Sequence, residues 1–398
     1  MEHAATLTGP GAGSAASAPS VPFFTQAASF AAVWPKIEAN LNAMVEGGKY
    51  SHGPLVAEFE SALAEYTGAA HVIGVNSGTD ALVLLLRAAG LRPGEEVVVP
   101  AFSFVASASS VALAQGRPVF VDIDPVTYAM DPDAVPEVIT ERTRMIMPVH
   151  LFCQLADLSG ITEVAQRYAL TVVEDSAEAI GMRWGGTHAG LHGAGGVLSF
   201  FPTKTLGALG DAGAVITNDP RVGEVAAALR HHGRFGRTLD HFPGISNETV
   251  LPGLNSKMDD LQAAVLLAKL ATLDADIARR AVLAAAYTER LADRPGVLRL
   301  PTVVKRQADT TAVFYVYLIE VERRDDLVAH LAANGVTTET YYPVPLHRQP
   351  CFAELGHRAG EFPNAEAACA HAVALPLYPD LTESQVDRVC ELIKGFFR

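Results

Sequence analysis

The chain lacks the features that mark several protein classes. Its cysteines, Cys153, Cys351, Cys369 and Cys390, are scattered over 398 residues. No CxxC pair and no Cys/His spacing of a zinc site links them, and disulfide frameworks belong to much smaller secreted chains. Reduced thiols in a cytoplasm, and no metal, are the expectation. Positive charge is also short, with 30 Lys and Arg against 44 Asp and Glu and a formal net charge of −14. That balance disfavours nucleic acid or an anionic membrane as partner. A small anionic substrate remains open, because a local basic cluster can override the global field. No uninterrupted apolar run is long enough to cross a bilayer. The start, MEHAATLTGPGAGSAASAPS, has neither the basic nor the apolar region of a secretory signal. Its Gly/Ala/Ser/Pro bias reads as a disordered leader over residues 1–22. No GxGxxG follows an early strand, which counts against a nicotinamide dehydrogenase. There is no internal repeat.

What remains is a chain with 49% apolar residues and too long for one ordinary core. Short β-branched runs alternate with helical patterns. HVIGV, EEVVVPAF, RPVFVDID, RMIMPVHLF and TVVEDSAEA read as strands. NSGTDALVLLLRAAGL, SASSVALAQG and DLSGITEVAQRYAL read as helices between them. This is the pattern of an α/β fold with a mostly parallel sheet between helices. After about Leu270 the strand pattern thins. A long helix, the run VFYVYLIEV and a final amphipathic helix then suggest a smaller α/β domain. The expected division is a large domain over 23–270 and a small one over 271–398.

In such sheets ligands bind at the carboxyl ends of strands. One such end carries Asn76, Ser77, Gly78 and Thr79 at the start of a helix, either a simple N-cap or a seat for a phosphate. Another carries Glu174 and Asp175 directly after an apolar strand, either a solvated pair or an inward carboxylate that needs a cationic partner. Phe104 follows a third strand, as core or as a flat cover for a ring. Lys204 lies in SFFPTKTLGALGDAGAV, where Asp211 is the only acid. Either it snorkels to water, or its apolar setting lowers its pKa and leaves a nucleophilic amine. Taken together, a phosphate seat, an aromatic cover, a buried carboxylate and an amine describe a pocket for pyridoxal 5′-phosphate.

The sequence resembles the DegT/DnrJ/EryC1/StrS aminotransferases, sugar aminotransferases of fold type I. The resemblance runs from about Gly53 to Leu381 through SHGPLVAEFE, NSGTDAL, VPAFSFVASASSV, VVEDSAEAIG, SFFPTKTLGALGDAGAVITND, GLNSKMDDLQAAVL and YYPVPLHRQP. It implies that Lys204 forms the Schiff base, Asp175 pairs with the pyridine nitrogen and Phe104 stacks on the ring. It implies that Gly78, Thr79 and Ser199 bind the phosphate. Glu178 stands near the ring oxygen, where many members carry Gln. Asn255 would reach the phosphate bound by a neighbouring subunit, making the active unit a homodimer with shared sites. Ser256 and Leu254 replace tyrosines, and Tyr341 and Tyr315 replace histidines, common in the family. Those departures bear on substrate choice.

The implied reaction moves an amino group from an amino acid, L-glutamate in the family, to a keto-sugar carried on a nucleoside diphosphate. A keto-cyclitol acceptor and a non-catalytic, cofactor-binding regulator are the alternatives. Relatives that act as sugar dehydratases carry histidine in place of the lysine, which Lys204 argues against. Cations for a diphosphate are sought among Arg230, His231, His232, Arg234, Arg237, Lys257 and Arg348. Tyr341 and His347 join the expected substrate side.

Overall fold

The computed structural model describes residues 20–51, 53–235 and 248–398. Its helices begin with α1 (Ala27–Gly47), α2 (Pro54–Thr67), α3 (Gly78–Ala88), α4 (Ala106–Leu113), α5 (Val135–Val138) and α6 (Leu158–Tyr168). They continue with α7 (Pro220–Arg230), α8 (Asp260–Leu270), α9 (Leu273–Leu291), α10 (Arg324–Ala333), α11 (Pro363–His371) and α12 (Glu383–Phe396). The strands begin with β1 (His71–Val75), β2 (Glu96–Pro100), β3 (Arg117–Val121), β4 (Thr143–Ile146), β5 (Thr171–Val172) and β6 (Glu174–Asp175). A small hairpin, β7 (Arg183–Trp184) and β8 (Thr187–His188), precedes β9 (Gly196–Ser199) and β10 (Gly213–Thr217). Later come β11 (Val297–Arg299), β12 (Tyr317–Val321) and β13 (Ala372–Leu375).

Sequence chemistry accounts for the helix ends that matter here. Pro54 opens α2, and Gly68 closes it at φ +81°. Ser77 caps α3 by accepting from the Asp80 N–H at 3.1 Å. Thr382 and Gln385 form a capping box at α12.

The strands pair in the orders β1-β10-β9-β6 and β3-β2-β4-β5. β5 and β6 are successive pieces of one extended segment, and Val149 bridges to Asp175 in parallel, so the two halves meet. All pairings in them are parallel except those of β10, which runs against β1 and β9. β2 and β10 are buried along their whole length, as strands covered on both faces must be. The expected fold class, an α/β fold with a mostly parallel sheet between helices and a smaller α/β unit after it, is the one found. The smaller sheet, β11-β12-β13, is antiparallel.

Two apolar runs make shorter strands than their composition suggests. RMIMPVHLF stops as a strand at Ile146, because Pro148 has no N–H for the ladder. Its carbonyl still accepts from the Asp175 N–H at 2.9 Å, and the His150 N–H donates to the Asp175 carbonyl at 3.0 Å. VFYVYLIEV enters its sheet only at Tyr317. Its first residues turn away, so that Tyr315 donates its N–H to the Phe152 carbonyl at 2.8 Å. Of the expected leader, residues 1–19 lie outside the described residues. Val21 is not loose: it is fully buried, donates to the Gly335 carbonyl and accepts from the Thr337 N–H.

Arg280 on α9 ties together the segments that enter β12 and leave β13 of the small sheet. It is 2% exposed, and its Nη1 donates to the carbonyls of Tyr315 at 2.9 Å and Leu377 at 2.7 Å. Arg280→Met should cost about 2 kcal/mol or more, since two buried carbonyls lose their donor. Urea denaturation should show a lower midpoint with an unchanged slope.

Candidate active site

A cavity of about 480 Å³ opens at the carboxyl ends of β1, β6 and β9. Asp175, Glu178, Lys204, Gly78, Thr79, Phe104, Ser199 and Tyr341 all line it, so most expected site residues are brought together. Ser107, which supports Asp175 from α4, was not singled out by sequence. Its signal was a run of small hydroxyls one turn after the β2 end.

Glu174 and Asp175 are both buried, which rules out a solvated pair. Their surroundings differ sharply. Glu174 Oε2 meets His150 Nε2 at 3.0 Å, and the Ala156 N–H donates to His150 Nδ1, so Nε2 carries the proton. Backbone N–H groups of Gly190, His192 and Gly193 also donate to Glu174. Burial alone would raise the Glu174 pKa, but these donors outweigh it and hold it below the usual carboxylate value. Asp175 receives only the Ser107 hydroxyl, at 2.7 Å, and the Ala177 N–H, at 3.2 Å. For Asp175 burial wins and the pKa rises. Glu174 is a satisfied structural acid, whereas Asp175 faces the cavity with room for another donor.

Lys204 sits in the turn between β9 and β10. Its Nζ donates to Glu178 Oε1 at 3.0 Å and lies 4.2 Å from the Tyr315 ring centroid. Glu178 Oε2 accepts the Phe152 N–H at 3.0 Å. Phe152 delivers that N–H from φ +63°, a conformation that costs a bulky residue about 1–3 kcal/mol. The expectation of a lowered lysine pKa is corrected here. Burial does push it down, but Glu178, Tyr315 and Asp175 push harder, and the pKa stands above the ordinary 10.5. Lys204 rests as an ammonium.

The start of α3 borders the cavity through Ser77, Gly78 and Thr79. Its first N–H groups have no partner within the helix. A Cβ at position 78 would stand 2.8 Å from Ser199 Cβ, so only glycine lets these elements touch. Phe104 is 57% exposed, and its ring stands beside that of Tyr342 with centroids 6.2 Å apart. It is no core residue. Tyr341 shares a weak hydroxyl chain with Tyr315 and Thr203, each link 3.3 Å.

Other expected residues lie elsewhere. Asn255 is exposed and bonded to Lys257 Nζ. The period of two along this segment buries Ser256 toward Asn76 and turns Asn255 and Lys257 outward from their own cavity. Arg234 lies by them, and it and Arg230 reinforce the fall that burial starts in the Lys257 pKa. His231 pairs with Asn255, and His232 follows it. Arg230 is not a substrate cation: it is held by Glu60 at 2.5 Å and the Gly74 carbonyl at 2.9 Å. His347 is buried against Glu366 and the Phe362 ring, while exposed Arg348 reaches the His357 carbonyl. Neither lines the cavity. Arg237 lies outside the described residues.

The fold is α/β, and its cavity brings a lysine from the β9–β10 turn and the buried acid Asp175 to one pocket. The model of the DegT/DnrJ/EryC1/StrS aminotransferase family matches residues 34–394, and the chain belongs to that family of aminotransferases. It is 40% identical over 379 residues to the "Pleiotropic regulatory protein" of Geobacillus stearothermophilus, covering 95% of this chain and 99% of the relative. It is 38% identical over 381 residues to the dTDP-3-amino-3,4,6-trideoxy-alpha-D-glucose transaminase of Streptomyces venezuelae, covering 96% and 97%. The crystal structure of S. venezuelae DesV in complex with a ketimine intermediate superposes with a TM-score of 0.89 at 37% identity, covering 96% of this chain and 99% of that one.

The Glu174 environment gives a pH prediction. A carboxylate held below its unfolded value stabilises the fold above that value, and the gain is lost as pH falls through the folded pKa. Glu174→Gln should therefore be less stable than the parent at pH 7 by about 1–3 kcal/mol. The gap should narrow as pH falls below the ordinary carboxylate range and close once the depressed folded-state carboxylate protonates. Denaturant melts across pH check it.

Proposed function

We propose that the cavity holds pyridoxal 5′-phosphate and moves an amino group from an amino acid, L-glutamate by family resemblance, to a keto-sugar linked to a nucleoside diphosphate. The observation that carries this reading is Asp175: a buried, under-bonded carboxylate facing the same cavity as a lysine.

The residues fit the group. Asp175 gains from a cationic ring N–H what Ser107 and Ala177 leave unsupplied. Phe104 offers its exposed ring to a second ring. Gly78, Thr79 and Ser199 would take the phosphate at the positive end of α3. When bound, the group supplies an electron sink and carries nitrogen between two substrates. Lys204 Nζ, once released, would hold and move the proton at the donor's α-carbon, a contribution of about 10²–10⁴-fold. Asp175 would keep the ring nitrogen protonated, and Tyr341 borders the space left for substrate.

The active unit is proposed as a homodimer. Outward-facing Asn255 would complete a second copy's phosphate seat, with Lys257 and Arg234 beside it for the diphosphate. No helix among the described residues is long and apolar enough to cross a membrane. A small-molecule sugar substrate, no nucleic acid and a cytoplasmic setting go with the acidic charge and thiol pattern.

The test supplies glutamate with panels of 3-keto and 4-keto nucleotide sugars and of keto-cyclitols, with products identified by mass and NMR. An amino nucleotide sugar is expected. A product only from a cyclitol moves the substrate class. No glutamate half-reaction at all favours a regulator, the role that the Geobacillus relative's name carries. Lys204→Ala should lose turnover entirely. Asp175→Asn should retain part of the cofactor affinity but slow transfer by about 10²-fold or more.

A further inference from the structure

Glu178 is fixed at both oxygens. Oε1 takes the Lys204 ammonium at 3.0 Å, and Oε2 takes the Phe152 N–H at 3.0 Å. The Glu178 side chain keeps 5% of its surface and the Lys204 side chain 15%. An amide here could accept the same bond from Nζ, but it would bear no charge and could take no proton. The difference matters because an ammonium has no lone pair with which to attack a carbonyl.

Resting on the pyridoxal phosphate reading above, we propose that Glu178 is the internal base for cofactor capture, accepting the proton of Lys204 as its Nζ attacks the aldehyde. One proton passes from Nζ to Glu178 Oε1. The freed lone pair forms the C–N bond. The two remaining protons on nitrogen leave with the carbonyl oxygen as water, and Glu178 returns its proton to the new C=N nitrogen. Nothing is oxidised or reduced, and no further reactant is needed.

This arrangement has a kinetic signature. The ion pair exchanges its proton internally, so the fraction present as amine plus carboxylic acid does not depend on solution pH. Without the carboxyl group the proton must go to solvent. Capture then rises about tenfold per pH unit until the lysine titrates. Other groups facing Nζ are Asp175 at the end of β6 and Tyr315. His150, Asp211, Tyr341 and Tyr342 line the same cavity. All of these stay in place in a Glu178 variant and set a common baseline.

The experiment uses the full chain stripped of cofactor. Pyridoxal 5′-phosphate is added from pH 6 to 8.5, and capture is followed by absorbance for the parent, Glu178→Gln and Glu178→Asp. In parallel, acetic anhydride labels Lys204 across pH with no cofactor present, read by peptide mass spectrometry. Expected are a flat capture profile for the parent, a steep one for Glu178→Gln, and flatness regained in Glu178→Asp. Labelling should show Lys204 titrating at lower pH in Glu178→Gln. Equal pH slopes in parent and Gln variant overturn the proposal. If no variant captures the aldehyde, the cofactor reading itself fails. The labelling then decides the ion pair alone, and an unshifted Lys204 titration overturns that too.

Discussion

One partly buried ammonium, Lys204, and two buried carboxylates, Glu178 and Asp175, lie together where the sheet ends, and the surrounding chain is arranged to tolerate them. Charges taken out of water are stable only when paired and hydrogen-bonded. Lys204 is paired to Glu178, and Glu178 is anchored by Phe152 in a left-handed backbone conformation. The turn that carries Lys204 closes because position 207 is glycine, where a Cβ would stand 2.3 Å from the Pro202 carbonyl oxygen. Arg280 holds the Tyr315 carbonyl and so fixes the ring that lies against Nζ. Stability and reactivity are therefore set by the same few contacts.

Glu174 and Asp175 show how a fold divides labour between neighbouring acids. The first spends its charge on His150 and three backbone donors and fastens the loop Gly190–Gly193 to the sheet. The second is left with two donors and an open side toward the cavity. Burial raises both, but the donors and the nearby histidines outweigh it at Glu174 and not at Asp175, so their pKa values move in opposite directions. A carboxylate with unspent hydrogen-bonding capacity, held near a lysine, is what a cationic heteroaromatic ring requires.

Much of this was legible in the sequence. The alternation of apolar runs and helical patterns gave the order of elements, the strand ends pointed to Asp175 and Gly78, and an apolar setting singled out Lys204. What escaped was what depends on distant pairing. Nothing local to Lys204 announces that Glu178, 26 residues earlier, reverses the effect of burial on its charge. Arg230 reads as a ligand for phosphate until Glu60, 170 residues away in sequence, is seen to occupy it. The apolar run before Tyr317 reads as strand because only tertiary contacts with Phe152 and Arg280 draw Tyr315 aside. Likewise the motif around Asn255 identifies the residue but not its outward direction. That direction follows from the burial of Ser256 against Asn76.

The proposed transfer depends on a covalent bond between Lys204 and an aldehyde cofactor. Its most direct measurement is borohydride reduction of the protein saturated with pyridoxal 5′-phosphate, followed by digestion and peptide mass spectrometry. A phosphopyridoxyl group is expected on the peptide bearing Lys204. A reduced protein with that lysine unmodified, or with the label fixed on another lysine, would contradict it.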